Sequence, residues 1–222
     1  PEYYRLLNEG GPEPDWASLY PEEWRDACEE AVCAELGTPE GNALVRRRLA
    51  DLSRSVAPCI VIGGPPCQAY SLVGRARNAG NSDYVPENDH RHFLYEEYIR
   101  ILDLVRPVAF VMENVKGMLS SSVEGDRIFG RVLSDLRAAG GATGYELFAI
   151  TNDDGGRMVF RRPAAHTDFL LRSEDFGVPQ TRHRVIIVGI RRDLTSSARL
   201  GASAPGEAPS PAVVRHVLLG MP

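Results

Sequence analysis

The sequence predicts an α/β fold built on a mostly parallel sheet, with an antiparallel addition near its end. Short apolar runs typical of buried strands alternate along the chain with amphipathic segments at helical spacing. Pairs of glycines stand where several of these segments end, and hydrophobic residues make up 43% of the 222 residues. A chain of this length and composition can fold around one main core.

The beginning of the chain is predicted to be helical. A proline followed by two glutamates at position 21, and a threonine followed by a proline at position 38, are helix-start signals. They predict helices over residues 21–36 and 39–54.

Strands and helices alternate after this segment. The apolar run from Ala57 to Ile62 ends in Gly63 and Gly64, which indicates a buried strand that opens into a tight loop. Residues 72–92 combine glycines, asparagines and scattered charges, so we predict a long mobile loop there. The remaining elements are a helix over 93–105, a strand over 108–112, a helix over 128–136 that stops at Gly140, and strands over 145–150, 166–171 and 185–190.

The composition shifts near the end of the chain. From Asp193 to Pro211 it is rich in Ala, Ser, Gly and Pro, as in a linker, and a short helix is predicted beyond. We therefore divide the chain into an N-terminal helical segment (1–56), a core (57–192) and a linker with a short helix (193–222). The chain lacks an initiator methionine and stops just after the last predicted helix, so we expect an excerpt of a longer protein.

Charge and cysteine content limit the function classes. The formal net charge of −5 argues against binding nucleic acid through overall charge, so any such site must be local. No apolar run approaches the roughly 20 residues that a membrane helix needs. The four cysteines lack the CxxC pairs of zinc sites. We expect a cytoplasmic protein with reduced thiols, without a metal and without a membrane partner.

One segment combines the features of a reactive site. The stretch Gly-Gly-Pro-Pro-Cys-Gln-Ala-Tyr-Ser over 63–71 has glycines that turn the chain, prolines that stiffen it, and a thiol at the predicted rim of the sheet. Ligands of α/β proteins bind at the carboxyl ends of parallel strands. A helix starting near this thiol, Cys67, would favour its thiolate form. Cys67 is therefore a candidate nucleophile.

Three motifs, in order, resemble those of the cytosine-5 methyltransferases. They are Pro66-Cys67-Gln68 followed by an aromatic residue and a serine, Glu113-Asn114-Val115, and Gln180-Thr181-Arg182-His183-Arg184. The resemblance covers residues 57–192, and Tyr70 stands where the family usually has phenylalanine. It implies a Rossmann-like, S-adenosylmethionine-dependent methyltransferase core, here incomplete, with helices on both faces of the sheet. The implied reaction is methylation of C5 of cytosine in DNA.

The resemblance also implies residue roles. Cys67 would add to C6 of a cytosine flipped out of double-stranded DNA, because C5 is too poor a nucleophile to attack a sulfonium methyl unaided. Glu113 would contact N3 and the exocyclic amine from a largely buried position, and Arg184 would contact O2. The other positions carried over are Arg182 near the flipped nucleotide, Pro65, Gln68, Ser71 and Asn114 at the substrate, and Pro66 and Leu94 at S-adenosylmethionine.

One family feature has no counterpart in the sequence. The aromatic-x-Gly-x-Gly cofactor loop is missing from Pro1 to Val56, so the cofactor site is only partly present. One alternative is a transfer-RNA cytosine-5 methyltransferase, a branch that usually has Thr where this chain has Ser71. Another is a non-catalytic nucleic-acid-binding relative, which would have no reason to keep Cys67, Glu113 and Arg184 together. The sequence leaves open whether a partner restriction endonuclease exists, and we expect a bacterial, nucleoid-associated protein.

The residues of the last two motifs can also be explained without a catalytic role. A solvated strand end would account for Glu113 and a turn for Asn114, while Arg182 and Arg184 would suit an exposed charged strand edge. The ordered match of all three motifs favours the catalytic interpretation.

Overall fold

The computed structural model describes residues 6, 8–10, 12–52, 58–66, 94–123, 126–153 and 156–195. The chain divides into two units, residues 1–54 and 55–222. Several predictions lie outside the described residues: those for Cys67, Gln68 and Ser71, for the loop 72–92, and for the linker and helix beyond residue 195.

The described part of the first unit is helical, as predicted. Its helices are α1 (Trp16–Leu19), α2 (Pro21–Glu30) and α3 (Pro39–Leu52). The Thr38 hydroxyl accepts a hydrogen bond from Gly41 N at 3.1 Å, which confirms the predicted start of α3. The helix predicted over 21–36 ends early, at Glu30. Glu29 and Glu30 occupy its last turn without a basic residue, and carboxylates there oppose the helix dipole.

A six-stranded sheet forms the centre of the described second unit. Its strands are β1 (Ile60–Gly63), β2 (Ala109–Val115), β5 (Tyr145–Asn152), β6 (Met158–Arg161), β7 (Leu170–Arg172) and β8 (His183–Arg191), and a separate hairpin contains β3 (Ser122–Val123) and β4 (Asp126–Arg127). The order is β1-β2-β8-β5-β6, and β7 pairs with the first residues of β8.

The strand directions confirm the α/β class and refine it. β1 and β2 form the expected parallel pair, whereas β8 runs antiparallel between β2 and β5. Only residues 173–182 separate β7 from β8, and so short a connection favours antiparallel neighbours. The sheet is therefore mixed: β1 and β2 are parallel, and the other strand pairs of the described sheet are antiparallel.

The main core lies between one face of the sheet and two helices, α4 (Leu94–Val105) and α5 (Ile128–Ala138). The Phe110 ring lies at its centre, edge-on to Tyr98 and Tyr145 with ring centroids 6.1 and 5.0 Å away. Both helices begin and end close to their predicted positions, because apolar residues at helical spacing face the sheet. On the other face of β1, Ile60 and Ile62 are exposed.

The end of α5 shows why the predicted glycine stop works. Gly140 adopts φ +78°, a left-handed conformation that ends the helix. Its N–H donates to the Asp103 carboxylate at 2.7 Å, which joins the end of α5 to α4.

The strand predicted over 166–171 is wrong in its first part. A 3₁₀ turn occupies His166–Phe169, and only Leu170–Arg172 form β7. The Asp168 carboxylate accepts hydrogen bonds from the N–H groups of Ala165 and Ala164 at 3.1 and 2.7 Å. These bonds hold the chain in a turn, and they lower the pKa of Asp168 below its usual value.

Candidate active site

Two charged side chains meet where β2 ends. Arg184 Nε lies 2.8 Å from Glu113 Oε1. In the register of β2 and β8, Glu113 is opposite Ile186, and Val115 is opposite Arg184. Because alternate residues of a strand share a face, Glu113 and Arg184 are diagonal neighbours on one face. The register thus joins two motifs that are far apart in the sequence.

The prediction that Glu113 is largely buried is wrong, since 43% of its side chain is exposed. The buried positions of β2 are Phe110, Met112 and Asn114, and Glu113 belongs to the alternate, half-buried set. The strand therefore turns Glu113 away from the core.

Arg184 is more enclosed, with 24% of its side chain exposed. Its Nη1 donates to the carbonyl of His183 at 2.8 Å, which fixes the guanidinium. The Nε atom is shielded from solvent, and its N–H is not aligned with the Glu113 carboxylate, so their contact is an ion pair without a well-formed hydrogen bond. The Nε–H therefore lacks a well-aligned acceptor among the described residues.

The loop after β1 packs against the same carboxylate. A Cβ atom at Gly64 would lie 3.2 Å from Glu113 Oε2, whereas a Cβ at the preceding Gly63 would lie 2.6 Å from Cε2 of Tyr98. The two glycines therefore permit different close approaches: Gly63 lets α4 pack on β1, and Gly64 leaves room for Glu113.

Asn114 connects this loop to β2. Its Nδ2 donates to the carbonyl of Pro65 at 3.3 Å, and its Oδ1 accepts from Val115 N at 2.9 Å. The side chain is 3% exposed, so its amide is used within the protein. Asn114 thereby holds Pro65, two residues before Cys67 in the sequence, beside the end of β2.

The segment before β8 closes on itself and exposes its motif residues. Ser173 donates to the carbonyl of Arg182 from both N (3.1 Å) and Oγ (2.7 Å). His183 Nε2 and Glu174 Oε1 lie 2.7 Å apart, a pair that sequence reasoning missed because no local pattern marks it. Hydrogen bonds from its own backbone N–H and from His183 lower the pKa of Glu174. The side chains of Gln180 and Arg182 are exposed.

Comparison with known proteins identifies the family. A family model described as C-5 cytosine-specific DNA methylase matches residues 55–213, which is more than half of the chain. The chain belongs to this DNA methylase family. The methylase motifs named above all lie within the matched range.

Individual methylases are similar to this chain over its core. The Type II methyltransferase M.Bpa9945I of Bacillus paralicheniformis is 39% identical over 142 residues, which cover 64% of this chain and 27% of the relative. M.BspRI of Lysinibacillus sphaericus is 37% identical over 135 residues, covering 61% of this chain and 24% of the relative. The crystal structure of a Spodoptera frugiperda DNMT2 mutant is 22% identical, with a TM-score of 0.39, and covers 68% of this chain and 37% of that chain. The chain thus spans about a quarter of the length of the curated relatives it matches.

The structure brings some of the predicted site residues together and leaves others apart. Pro65, Glu113, Asn114 and Arg184 come together, and Arg182 lies apart on the exposed segment before β8. The predicted cofactor residues are Pro66, which is exposed, and Leu94, which is half-buried, and they flank the segment 67–93 in the sequence.

The described residues contain neither a cluster of metal ligands nor a membrane-spanning helix. No three of their His, Cys, Asp and Glu side chains are grouped as metal ligands. Their helices are all too short or too polar to cross a membrane.

Proposed function

We propose that the protein containing this chain methylates C5 of a cytosine flipped out of double-stranded DNA, with Cys67 as the nucleophile. The observation that carries the proposal is the Glu113–Arg184 ion pair beside Gly64 and Pro65, residues that lead directly to Cys67 in the sequence. Membership of the C-5 cytosine-specific DNA methylase family supports the same reaction.

The spacing of the ion pair suits one edge of cytosine. N3 and O2 are adjacent acceptors on that edge, and Nε of Arg184 and Oε1 of Glu113 are 2.8 Å apart. Arg184 would donate to O2 through its guanidinium, and Glu113 would share a proton with N3. Both contacts strengthen as the ring gains negative charge, so they favour addition of the thiolate.

The proposed reaction uses the Cys67 thiolate, a methyl donor that would leave as S-adenosylhomocysteine, and a base such as water that takes the C5 proton. The Cys67 thiolate forms a bond to C6, and the electron pair of the C5–C6 bond moves into the ring toward N3 and O2. C5 thereby becomes the nucleophilic carbon that receives the methyl group. Loss of the C5 proton then expels the thiolate and regenerates Cys67.

S-adenosylmethionine would supply the methyl group when bound. Pro66 and Leu94 fit one side of such a ligand, and the described residues contain no glycine-rich turn for its other side. We propose that Pro65, positioned by Asn114, lies near the exocyclic amine, that Gln68 and Ser71 contribute to substrate binding, and that Arg182 approaches the flipped nucleotide.

A covalent trap tests the assignment. Fluorine at C5 of the target cytosine blocks the final proton loss, so the protein containing this chain should form a denaturation-resistant adduct with such DNA. Cys67→Ser should abolish the adduct, whereas Cys59→Ser, at a half-buried cysteine just before β1, should retain it. A Cys67→Ser variant that still traps DNA would refute the nucleophile assignment.

The same assay separates the alternatives. Adducts with transfer RNA but not with duplex DNA would favour the transfer-RNA branch, and binding of DNA without any adduct would favour a non-catalytic relative. Since the relatives are Type II methyltransferases, we also propose that methylation protects DNA from a partner restriction endonuclease.

A further inference from the structure

A second concave site lies at the opposite end of the sheet from the Glu113–Arg184 pair. It is a pocket of about 450 Å³ whose lining includes Arg137, Glu146, Leu147, Arg162, Arg192 and Thr195. β5 begins beside this pocket, and β8 ends there, seven residues after Arg184. At about 3.3 Å per residue, the pocket is on the order of 20 Å from the candidate active site.

The pocket contains more positive than negative charge. Three arginines line it, and the one carboxylate, Glu146, forms an ion pair with Arg162. A hydrogen bond from Arg162 lowers the pKa of Glu146, and the nearby charge of Arg192 lowers it further, so the carboxylate is ionised at neutral pH. One carboxylate beside three guanidinium groups leaves an excess of positive charge. Among the described residues, Arg137 and Arg192 have no carboxylate within ion-pair distance. An excess of positive charge is unusual in a chain whose formal net charge is −5.

The backbone brings Arg137 and Arg192 together. Gly144 adopts φ +64°, and a Cβ atom there would lie 2.6 Å from the carbonyl oxygen of Arg137 and 3.3 Å from Nη1 of Arg192. Its carbonyl also accepts a hydrogen bond from Arg192 N at 3.2 Å. Gly144 thus packs the end of α5 against the residue that follows β8.

Ordinary roles explain only part of this arrangement. Arg137 lies in the last turn of α5, where a cation stabilises the helix dipole, and an isolated exposed arginine needs no ligand. However, Asp193 pairs with Arg191 at 2.8 Å, so the carboxylate next to Arg192 in the sequence is already engaged by another arginine. Arg192 instead lines the pocket with Arg137.

We propose that this pocket binds a small organic phosphate of about mononucleotide size. Guanidinium groups match phosphate oxygens in charge and geometry, and pockets for small ligands typically have volumes of about 300–1,000 Å³. Pro163, which is half-buried, gives the pocket an apolar surface for the organic part of the ligand. The site is remote from Glu113 and Arg184, so its ligand would not compete with the target base.

Calorimetric titration of the chain with adenosine monophosphate tests the proposal. In a Tris-chloride buffer without phosphate or sulfate, we expect saturable binding with a Kd below about 1 mM. Arg137→Ala and Arg192→Ala should each weaken binding at least about fivefold, and Glu146→Gln should tighten it about threefold because it removes the competing carboxylate. Arg131→Ala is the matched control, because Arg131 lies on the same helix as Arg137 and is not part of the pocket lining.

The outcomes are distinct. Adenosine without phosphate should not bind, and inorganic phosphate should bind more weakly than the nucleotide. Duplex DNA that binds through Arg137 and Arg192 when the nucleotide does not would overturn the proposal in favour of a nucleic-acid backbone contact. Equal losses in Arg131→Ala and Arg192→Ala, or no binding of any probe, would overturn it altogether.

Discussion

Alanine substitutions at the two adjacent glycines after β1 should have different effects, one on stability and one on catalysis. The Cβ of Gly63→Ala would lie 2.6 and 2.9 Å from the ring of Tyr98, which is 7% exposed and donates to the carbonyl of Val111 at 3.0 Å. The ring cannot move without losing that bond, so overpacking should cost about 1–3 kcal/mol. A reduced entropy of the unfolded chain offsets about 0.4–1 kcal/mol of this.

An alanine at the next position, Gly64, would approach a side chain that can move. In Gly64→Ala the Cβ would approach Glu113 Oε2 at 3.2 Å, and this half-exposed carboxylate can rotate away. We expect the free energy of unfolding to change by less than about 0.5 kcal/mol. Displacement of the carboxylate from Arg184 should nevertheless slow formation of the fluorocytosine adduct at least about tenfold.

Urea unfolding and the fluorocytosine adduct assay check this pair of predictions. Urea unfolding followed by far-UV circular dichroism should show a lower midpoint concentration of urea for Gly63→Ala. In thermal unfolding, each kcal/mol of destabilisation should lower Tm by about 2–4 °C. The midpoint for Gly64→Ala should match that of the unsubstituted chain. Equal destabilisation by the two substitutions, or none by Gly63→Ala, would refute the assignment of the two glycines to different neighbours.

Three further predictions concern buried polar groups and the cofactor. Burial raises the pKa of Tyr145 to about 12, so the folded state keeps the phenol protonated while the unfolded chain releases the proton above pH 10. The contribution of Tyr145 to the free energy of unfolding should therefore be constant below pH 10 and decrease between pH 10 and 12. Urea titrations across this range should show a smaller decrease in Tyr145→Phe than in the unsubstituted chain. Asn114→Ala should lower the free energy of unfolding by about 1–3 kcal/mol, because the Pro65 carbonyl and the Val115 N–H both lose their hydrogen-bond partner. A change near zero in urea titrations would contradict the proposed positioning role of Asn114. Calorimetric titration of this chain alone with S-adenosylmethionine should give a dissociation constant of about 1 mM or weaker, because the sequence from Pro1 to Val56 lacks the glycine-rich cofactor loop and we expect several hydrogen bonds to be lost with it. A low micromolar value would mean that the site is complete here.

The sequence predicts the elements that depend on local periodicity. Apolar spacing places the helix at 93–105 against the observed Leu94–Val105, and the last strand within the observed β8. The ordered motifs also select Glu113 and Arg184, whose side chains are in contact in the structure. Their contact itself depends on the antiparallel register of β2 and β8, which no local pattern specifies.

The errors come from long-range effects and from one overlooked turn. The exposure of Glu113 depends on which face of β2 the helices cover, which becomes known only in the assembled sheet. The strand predicted from residue 166 does not form there, because the hydrogen bonds that Asp168 accepts hold the chain in a turn. The missed β6 pairs with β5 across a turn that contains Asp153 and Gly156, a combination typical of hairpins that could have been recognised.

The position of β8 has a consequence for the order of folding. Among the described strands this one is the last to leave the ribosome, yet it lies in the middle of the sheet, between β2 and β5. Until residues 183–191 are synthesised, the β1–β2 and β5–β6 pairs have facing edges without a partner, and such edges are prone to associate with other chains. Pairing between distant segments is also slow. Since Glu113 and Arg184 lie on opposite sides of this final junction, insertion of β8 both closes the sheet and assembles the ion pair, and a nascent chain acquires the two together.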